Sequence, residues 1–199
     1  MAKKSKKKVV SNKSKKNKPA STKWKEKWEK NKTSYIFIGS ILVFGIFSFW
    51  LTSQEWFETA AQPLLNFYAD ISNAILNLLG QDTKSTGETI SSGGFSIQIK
   101  KGCDAIAPMI LYTLSILFFP VAFSKKPKGI LIGIILLFLL NIVRIVSLFL
   151  TGKYVKSLFD LMHTDVWQIL FIIFTLYLWL VWLRKVTADD QPQSDEVSG

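Results

Sequence analysis

The sequence predicts an all-α integral membrane protein: a four-helix transmembrane bundle with an outer amphipathic helix and a short β segment before the second span. The 199 residues are 49% hydrophobic and 14% aromatic, although their formal net charge is +11. Residues 1–32 hold fourteen Lys and two Glu, so this tail accounts for the positive charge and leaves a nearly neutral, apolar body. The body contains four apolar runs, each near the roughly 20 residues that a helix needs to cross a membrane.

These runs are the predicted spans, residues 35–52, 106–123, 129–150 and 166–183. Together with the outer region they form a predicted membrane domain over residues 33–185. The first run lies far from the N-terminus and ends without a small-x-small site, which argues against a cleavable signal peptide. In the third run, Gly129 and Gly133 form a small-xxx-small pattern that favours close helix packing within the bundle.

The distribution of Lys and Arg predicts the orientation. Basic residues are dense before the first span, in the turn 124–128 and directly after the last span. They are sparse in residues 53–105 and 151–165. By the positive-inside rule both termini are cytoplasmic, and the two sparse segments lie on the outer face of a bacterial cell membrane.

The two ends of the chain are predicted to be disordered cytoplasmic tails. Residues 1–32 are rich in Lys, Ser and Asn, and residues 186–199 form a short acidic segment. The basic tail has two open interpretations: a solvated segment that sets topology, or a contact with anionic lipids or ribosomal RNA. Membrane lipids are therefore expected partners, and no specific nucleic acid is.

The outer region 53–105 contains two further patterns. Apolar residues recur at helical spacing over residues 56–79, which predicts an amphipathic helix. A segment rich in Gly, Ser and Thr, residues 80–94, predicts turns. Residues 95–100 alternate apolar and polar side chains, which predicts a short strand just before the second span.

Cys103 lies at the predicted start of the second span. There the helix dipole and free backbone N–H groups would stabilise a thiolate, and Lys100 and Lys101 are close in sequence. The alternative is a small buried hydrophobic residue, the usual role of a lone cysteine. As the single Cys in the chain it excludes an internal disulfide framework and a four-cysteine zinc site.

Arg144 lies inside the third span, six residues before Leu150, or about 9 Å below the outer surface. An arginine within a span is costly and indicates a functional site. Asn141 lies one turn earlier on the same face. The alternative is a structural guanidinium that pairs with Asp104 or Asp165.

His163 is the single histidine and precedes the fourth span on the outer side. A nearby helix N-terminus would keep its imidazole neutral, as a general base requires. The alternative is an ordinary interfacial histidine. With one His and one Cys in the chain, no metal site and no cofactor are expected.

Three spans thus bring a thiol, an imidazole and a guanidinium to the outer leaflet. Cysteine supplies a nucleophile, histidine a general acid and base, and arginine a cation for a developing oxyanion. Together they are suited to acyl transfer through a thioester.

The order and spacing of these motifs over residues 95–185 resemble the exosortase/archaeosortase family, in a short four-span form. The motifs are Gly102-Cys103, Phe138-x-x-Asn141-x-x-Arg144 and His163 before the last span. Members are multipass membrane cysteine transpeptidases that act on exported proteins. Their substrates carry a C-terminal sorting signal made of a short motif, a transmembrane helix and a basic tail.

The resemblance implies that Cys103 is the nucleophile, Arg144 stabilises the transition state and His163 is the acid and base. Asn141, Gly102 and Asp104 are then expected to contact substrate, and the acceptor nucleophile is unknown. The chain departs from the family where Asp104-Ala105 follow the cysteine in place of Ser-Gly, and where four spans replace about eight.

A non-enzymatic interpretation stays open beside the enzyme. In it the chain is an assembly or receptor subunit whose Arg144 and Asn141 bind a partner transmembrane helix, and Cys103 is incidental. Redox exchange is disfavoured because no second cysteine could resolve a mixed disulfide.

Overall fold

The structure, a computed structural model, describes residues 20–188, apart from the side chains of residues 20–27 and 30. Its contacts divide the chain into residues 1–36 and residues 37–199. The first unit contains the beginning of helix α1, where the rings of Trp28 and Tyr35 stack with centroids 5.1 Å apart. All side-chain contacts described below lie within residues 37–188.

The described chain is mostly helical, with one small sheet between the second and third helices. Its elements in order are helices α1 (Ala20–Thr52) and α2 (Glu55–Leu78), strands β1 (Lys84–Thr86), β2 (Thr89–Ser92) and β3 (Phe95–Gln98), and helices α3 (Ile106–Phe118), α4 (Lys126–Tyr154), α5 (Phe159–Leu161) and α6 (Trp167–Ala188). Single 3-10 turns occupy Phe123–Lys125 and Lys156–Leu158, and a π-helical turn spans Met162–Val166.

Three helical segments of the described chain are long and apolar enough to cross a membrane: Asn31–Thr52, Phe123–Tyr154 and Lys156–Ala188. They contain the first, third and fourth predicted spans. The predicted second span 106–123 is only partly helical. Its helix α3 has 13 residues, a length of about 20 Å at 1.5 Å per residue, against a hydrocarbon core of about 30 Å.

Pro120 explains the early end of α3. The residue before a proline is driven out of the α region, and Phe119 is indeed extended with φ −66° and ψ 135°. Lys126 reaches back to this helix end, where its Nζ donates to the carbonyl oxygen of Leu117 at 2.6 Å. A buried cation thus satisfies a carbonyl that the helix leaves free.

The predicted tails need a correction at their inner ends. Helix α1 begins at Ala20, within the segment 1–32 that is predicted to be disordered. Helix α6 runs to Ala188, past the predicted boundary at residue 186. The rest of both tails, residues 1–19 and 189–199, lies outside the described residues.

The outer region folds into α2 and an antiparallel sheet of order β1-β2-β3. Helix α2 matches the predicted amphipathic helix within one residue at each end, and its position outside the membrane stays a prediction. The expectation of turns over 80–94 is wrong in part, since this segment contains β1 and β2. Glycines at positive φ close the hairpins, with Gly93 at 53° and Gly94 at 86° between β2 and β3.

Two apolar clusters flank α4. One joins α3, α4 and α6, and the other joins α2, the sheet and α4. Gly133 lies so close to Tyr112 that a Cβ atom there would fall within 2.0 Å of the ring, and Gly129 is similarly close to Trp182. The small-xxx-small pattern therefore serves packing inside the chain, as predicted, and it sets the spacing of the helices that carry the site.

Candidate active site

Cys103 lies on a tight turn between β3 and α3. The turn is closed by the N–H of Cys103, which donates to the carbonyl oxygen of Lys100 at 2.9 Å. Gly102, its third residue, has φ +91°, a conformation that L side chains rarely adopt. A Cβ at Gly102 would meet nothing within 4 Å, so the backbone angle and not the available space requires glycine here.

His163 lies next to the thiol. Its Nε2 is 3.0 Å from the Sγ of Cys103, a distance at which a proton can pass directly between the two atoms. The histidine is on the π-helical turn that leads into α6. Its ring stacks on Phe159 with centroids 5.6 Å apart and an interplanar angle of 7°. The aromatic ring therefore helps to hold the imidazole in the plane that faces Cys103.

Arg144 extends from α4 to the same turn. It is 8% exposed, and its Nη1 donates to the carbonyl oxygen of Gly102 at 3.2 Å. The guanidinium also lies over the ring of Phe171, 5.5 Å from its centroid. Its buried Nε has no hydrogen-bond partner among the described residues. The guanidinium thus anchors the peptide before Cys103 and is still not fully engaged.

Asn141, one turn earlier on α4, is fully buried and donates from Nδ2 to the carbonyl oxygen of Cys103 at 2.9 Å. Asn141 and Arg144 therefore hold two consecutive carbonyl groups of the turn. Phe138, another turn earlier, stacks on Tyr68 of α2 with centroids 4.8 Å apart. Phe138 thus packs α4 against α2, and Asn141 and Arg144 bind the cysteine turn. Because the amide of Asn141 is engaged within the chain, the structure does not favour a role for it in binding a partner helix.

Asp104 is buried beside the cysteine turn, and its expected contact with substrate stays a prediction. Its buried carboxylate accepts a hydrogen bond from the N–H of Ile106 at 3.1 Å, the first residue of α3. Ala105 between them is left-handed at φ 55°. Burial raises the pKa of the Asp104 carboxyl, and the N–H of Ile106 partly opposes this. The carboxylate therefore binds the first backbone N–H of the helix that follows the nucleophile.

The electrostatics of the thiol also differ from the sequence-based expectation. Burial raises the pKa of the Cys103 thiol, the Arg144 guanidinium partly lowers it, and the Asp104 carboxylate raises it further. The Nζ of Lys101 lies 3.8 Å from the carboxylate of Glu58. Because burial disfavours the charged thiolate, the contact with the imidazole of His163 is the feature of this site that can promote loss of the proton.

Cys103 and His163 border an open cleft of about 820 Å³. One wall is β3, and the other is formed by the turns between α4 and α6, with Lys156, Phe159 and Asp160. An apolar groove of about 740 Å³ between α1, α3 and α6 shares Gly102 and Arg144 with the cleft. The site thus joins an open cleft to an apolar groove.

The structure brings all the sequence-predicted site residues to one turn. Sequence reasoning did not identify the aromatic partners Phe159 and Phe171, because their contacts join segments that are distant or irregular. Among residues 20–188, no group of three or more His, Cys, Asp or Glu side chains is placed to hold a metal ion.

A family model described as transmembrane exosortase matches residues 33–180 of the chain. The matched region includes the three motifs and every helix described above from α2 to α5. No curated protein and no solved structure matches the chain.

Proposed function

The chain belongs to the transmembrane exosortase family of membrane transpeptidases and proteases, and we propose that it cleaves C-terminal sorting signals of exported proteins through a thioester on Cys103. The observation that carries this proposal is the 3.0 Å contact between the thiol and the imidazole of His163. Nucleophile and base within hydrogen-bond reach are the signature of covalent catalysis by a cysteine. The part of the substrate that is held as the thioester is then transferred to an acceptor or released by water.

In the first half of the reaction, Nε2 of His163 takes the proton of Cys103 as Sγ attacks the scissile carbonyl carbon. The carbonyl oxygen becomes an oxyanion, which the Arg144 guanidinium can stabilise by charge and hydrogen bonding. The C–N bond breaks when the imidazolium returns its proton to the leaving amine. The amine departs with the C-terminal signal, and the rest of the substrate stays on Cys103 as a thioester.

In the second half, an amine or a water molecule attacks the thioester carbonyl. His163 accepts a proton from this nucleophile and passes it to the departing sulfur, so the thiol is restored. Asn141 and Arg144 support both halves because they fix the carbonyl groups of the two peptide bonds on either side of the Cys103 Cα. A nucleophile held in this way needs little reorganisation between the two attacks.

The apolar helices and the family indicate a multipass membrane protein. We place both termini in the cytoplasm and the cleft on the outer face of a bacterial cell membrane, on the grounds of the Lys/Arg distribution. In this orientation exported proteins reach Cys103 after translocation. A reporter fused after Gly199 should be cytoplasmic, and an extracytoplasmic reporter would put the site on the wrong side.

The test compares surface proteins from cells that carry the wild-type chain with those from cells that carry Cys103→Ala. Uncleaved C-terminal tails should accumulate only with Cys103→Ala, at equal membrane abundance of the two chains. The variant Cys103→Ser should be nearly as inactive, because a hydroxyl is much harder to deprotonate than a thiol. Cleavage by Cys103→Ala at the wild-type rate would reject the enzyme and favour the assembly subunit.

A further inference from the structure

Strand β3 lies at the edge of the sheet. The order β1-β2-β3 pairs one side of β3 with β2 and leaves its other side without a strand partner in the described chain. A free strand edge presents unpaired N–H and C=O groups that can bind a further extended segment. Here the strand is the one that leads into the turn with Cys103.

The register shows which backbone groups face outward. Ile99 donates from its N–H to the carbonyl oxygen of Glu88 at 2.9 Å, and Ile97 is opposite Ile90. Hydrogen-bonded and non-hydrogen-bonded pairs alternate along an antiparallel ladder. Because Ile99 is in a hydrogen-bonded pair with Glu88, Ile97 two residues earlier is in a hydrogen-bonded pair with Ile90. Ser96 and Gln98 are then in non-hydrogen-bonded pairs with β2. The N–H and C=O groups of Ser96 and Gln98 therefore point to the free edge.

This edge forms a wall of the catalytic cleft. Ser96 and Gln98 line the same cleft as Cys103 and His163. Their side chains are exposed, whereas Phe95 and Ile97 pack partly into the cluster between α2 and α4. The backbone of β3 is thus held firmly on one side and is open to the cleft on the other.

We propose that the free edge of β3 binds the extended segment of the exported protein that precedes the scissile bond, as an added antiparallel or parallel strand. This inference rests on the proposed function. Ser96 and Gln98 each offer one donor and one acceptor, which match the backbone of every second residue of an extended peptide. Main-chain pairing delivers the scissile carbonyl to the turn at Cys103 with little dependence on side chains. The segment after the scissile bond is not assigned to this edge, because a transmembrane helix has no free backbone groups to pair.

The test removes one outward-facing N–H without touching the bonds between β2 and β3. Ser96→Pro does so, since proline lacks the donor and is tolerated on strand edges. Losing one hydrogen bond weakens substrate binding by roughly 2- to 10-fold, and the ring also blocks the approach of the added strand. We therefore expect cleavage of surface-protein tails to fall by roughly 10-fold or more.

Ser85→Pro is the matched control at the opposite edge of the same sheet. Ser85 is opposite Ile90, in a non-hydrogen-bonded pair by the same alternation, so its N–H also points away from β2. It does not line the cleft, and this variant should retain cleavage. Alkylation of Cys103 by a small thiol reagent should proceed at the wild-type rate in both proline variants. Wild-type cleavage by Ser96→Pro would overturn the proposal.

A second measurement decides the case in which Ser96→Pro also slows alkylation. In the Cys103→Ala chain, p-benzoylphenylalanine replaces Gln98, or Lys84 on the opposite edge as the control, and cells are irradiated. Crosslinks from position 98 to surface proteins that retain their C-terminal tails are expected, with few from position 84. Equal or no crosslinking from position 98 would refute strand pairing. If wild-type cells show no cleaved tails at all, the proposed function fails instead.

Discussion

Replacement of His163 by alanine tests the chemistry of the site. An ordinary cysteine has a pKa of about 8.5, so at pH 7 only about 3% of such thiols are ionised. Burial raises the pKa of Cys103, so its own thiolate fraction is lower still. Without the imidazole 3.0 Å away, turnover should therefore fall by at least about 30-fold. The loss of proton delivery to the leaving amine extends this toward the 10²–10⁴-fold range that is usual for a general acid–base residue.

The assay follows two rates in purified protein across pH 6–10: alkylation of Cys103 by a small thiol reagent, and cleavage of a tail-bearing substrate. In His163→Ala, alkylation should be slow at pH 7 and rise as the pH is raised, because the thiol then ionises without a base. Thr164→Ala, the next residue on the same turn, is the control and should match the wild type. Full turnover by His163→Ala with an unchanged pH profile would refute the reasoning and direct attention to Asp165 or Asp104.

Three further variants probe the surroundings of the thiol. Arg144→Lys should lower cleavage by roughly 10- to 100-fold at normal membrane abundance, because a hydrogen bond to a charged group contributes about 1.5–3 kcal/mol and lysine lacks the planar fork; near-normal cleavage would remove that role. Asp104→Asn keeps an oxygen that can accept the N–H of Ile106, but it removes a negative charge that raises the pKa of Cys103. The pH profile of alkylation should therefore move to lower pH, and a shift to higher pH would contradict this. Gly102→Ala should lower cleavage by roughly 5- to 30-fold, since a left-handed backbone costs an L residue about 1–2 kcal/mol. The control Gly39→Ala, where the Cβ also has open space but φ is not positive, should leave cleavage unchanged. Equal activity of the two glycine variants would reject the strained turn.

The meeting of Cys103, Arg144 and His163 could be predicted because polar residues are rare in the apolar body of this chain. The distance of each residue from the end of its span predicts its depth in the membrane. Because the spans begin or end at the same outer surface, residues close to those ends lie at a similar depth. The family match confirms the resemblance drawn from the three motifs. The roles of the three side chains stay predictions.

Other features could not be predicted because they depend on a single residue or on contacts distant in sequence. Residues 106–123 are apolar on both sides of Pro120, so hydropathy does not reveal where α3 ends. The helix ends because the proline restricts the backbone of the residue before it. Strands β1 and β2 are polar except for Ile90, and they lack the alternation by which β3 was identified. The Gly93-Gly94 pair was the available signal for the hairpin between β2 and β3.

The influences on the pKa of the Cys103 thiol could not be predicted for a related reason. The sequence places two lysines and a helix start beside Cys103, and both favour a thiolate. In the structure, the N–H of Ile106 is occupied by Asp104 and Lys101 lies near Glu58. Burial then dominates, which no pattern of neighbours in the sequence could reveal.

The most direct measurement of the central claim is the mass of the chain during turnover. Protein quenched in acid after mixing with a tail-bearing substrate should carry the N-terminal product on Cys103, as an adduct that hydroxylamine removes. The same adduct should accumulate when the acceptor nucleophile is withheld and be absent from Cys103→Ala. Cleavage of the substrate with no adduct on Cys103 at any time, or with the adduct on another residue, would contradict the thioester mechanism.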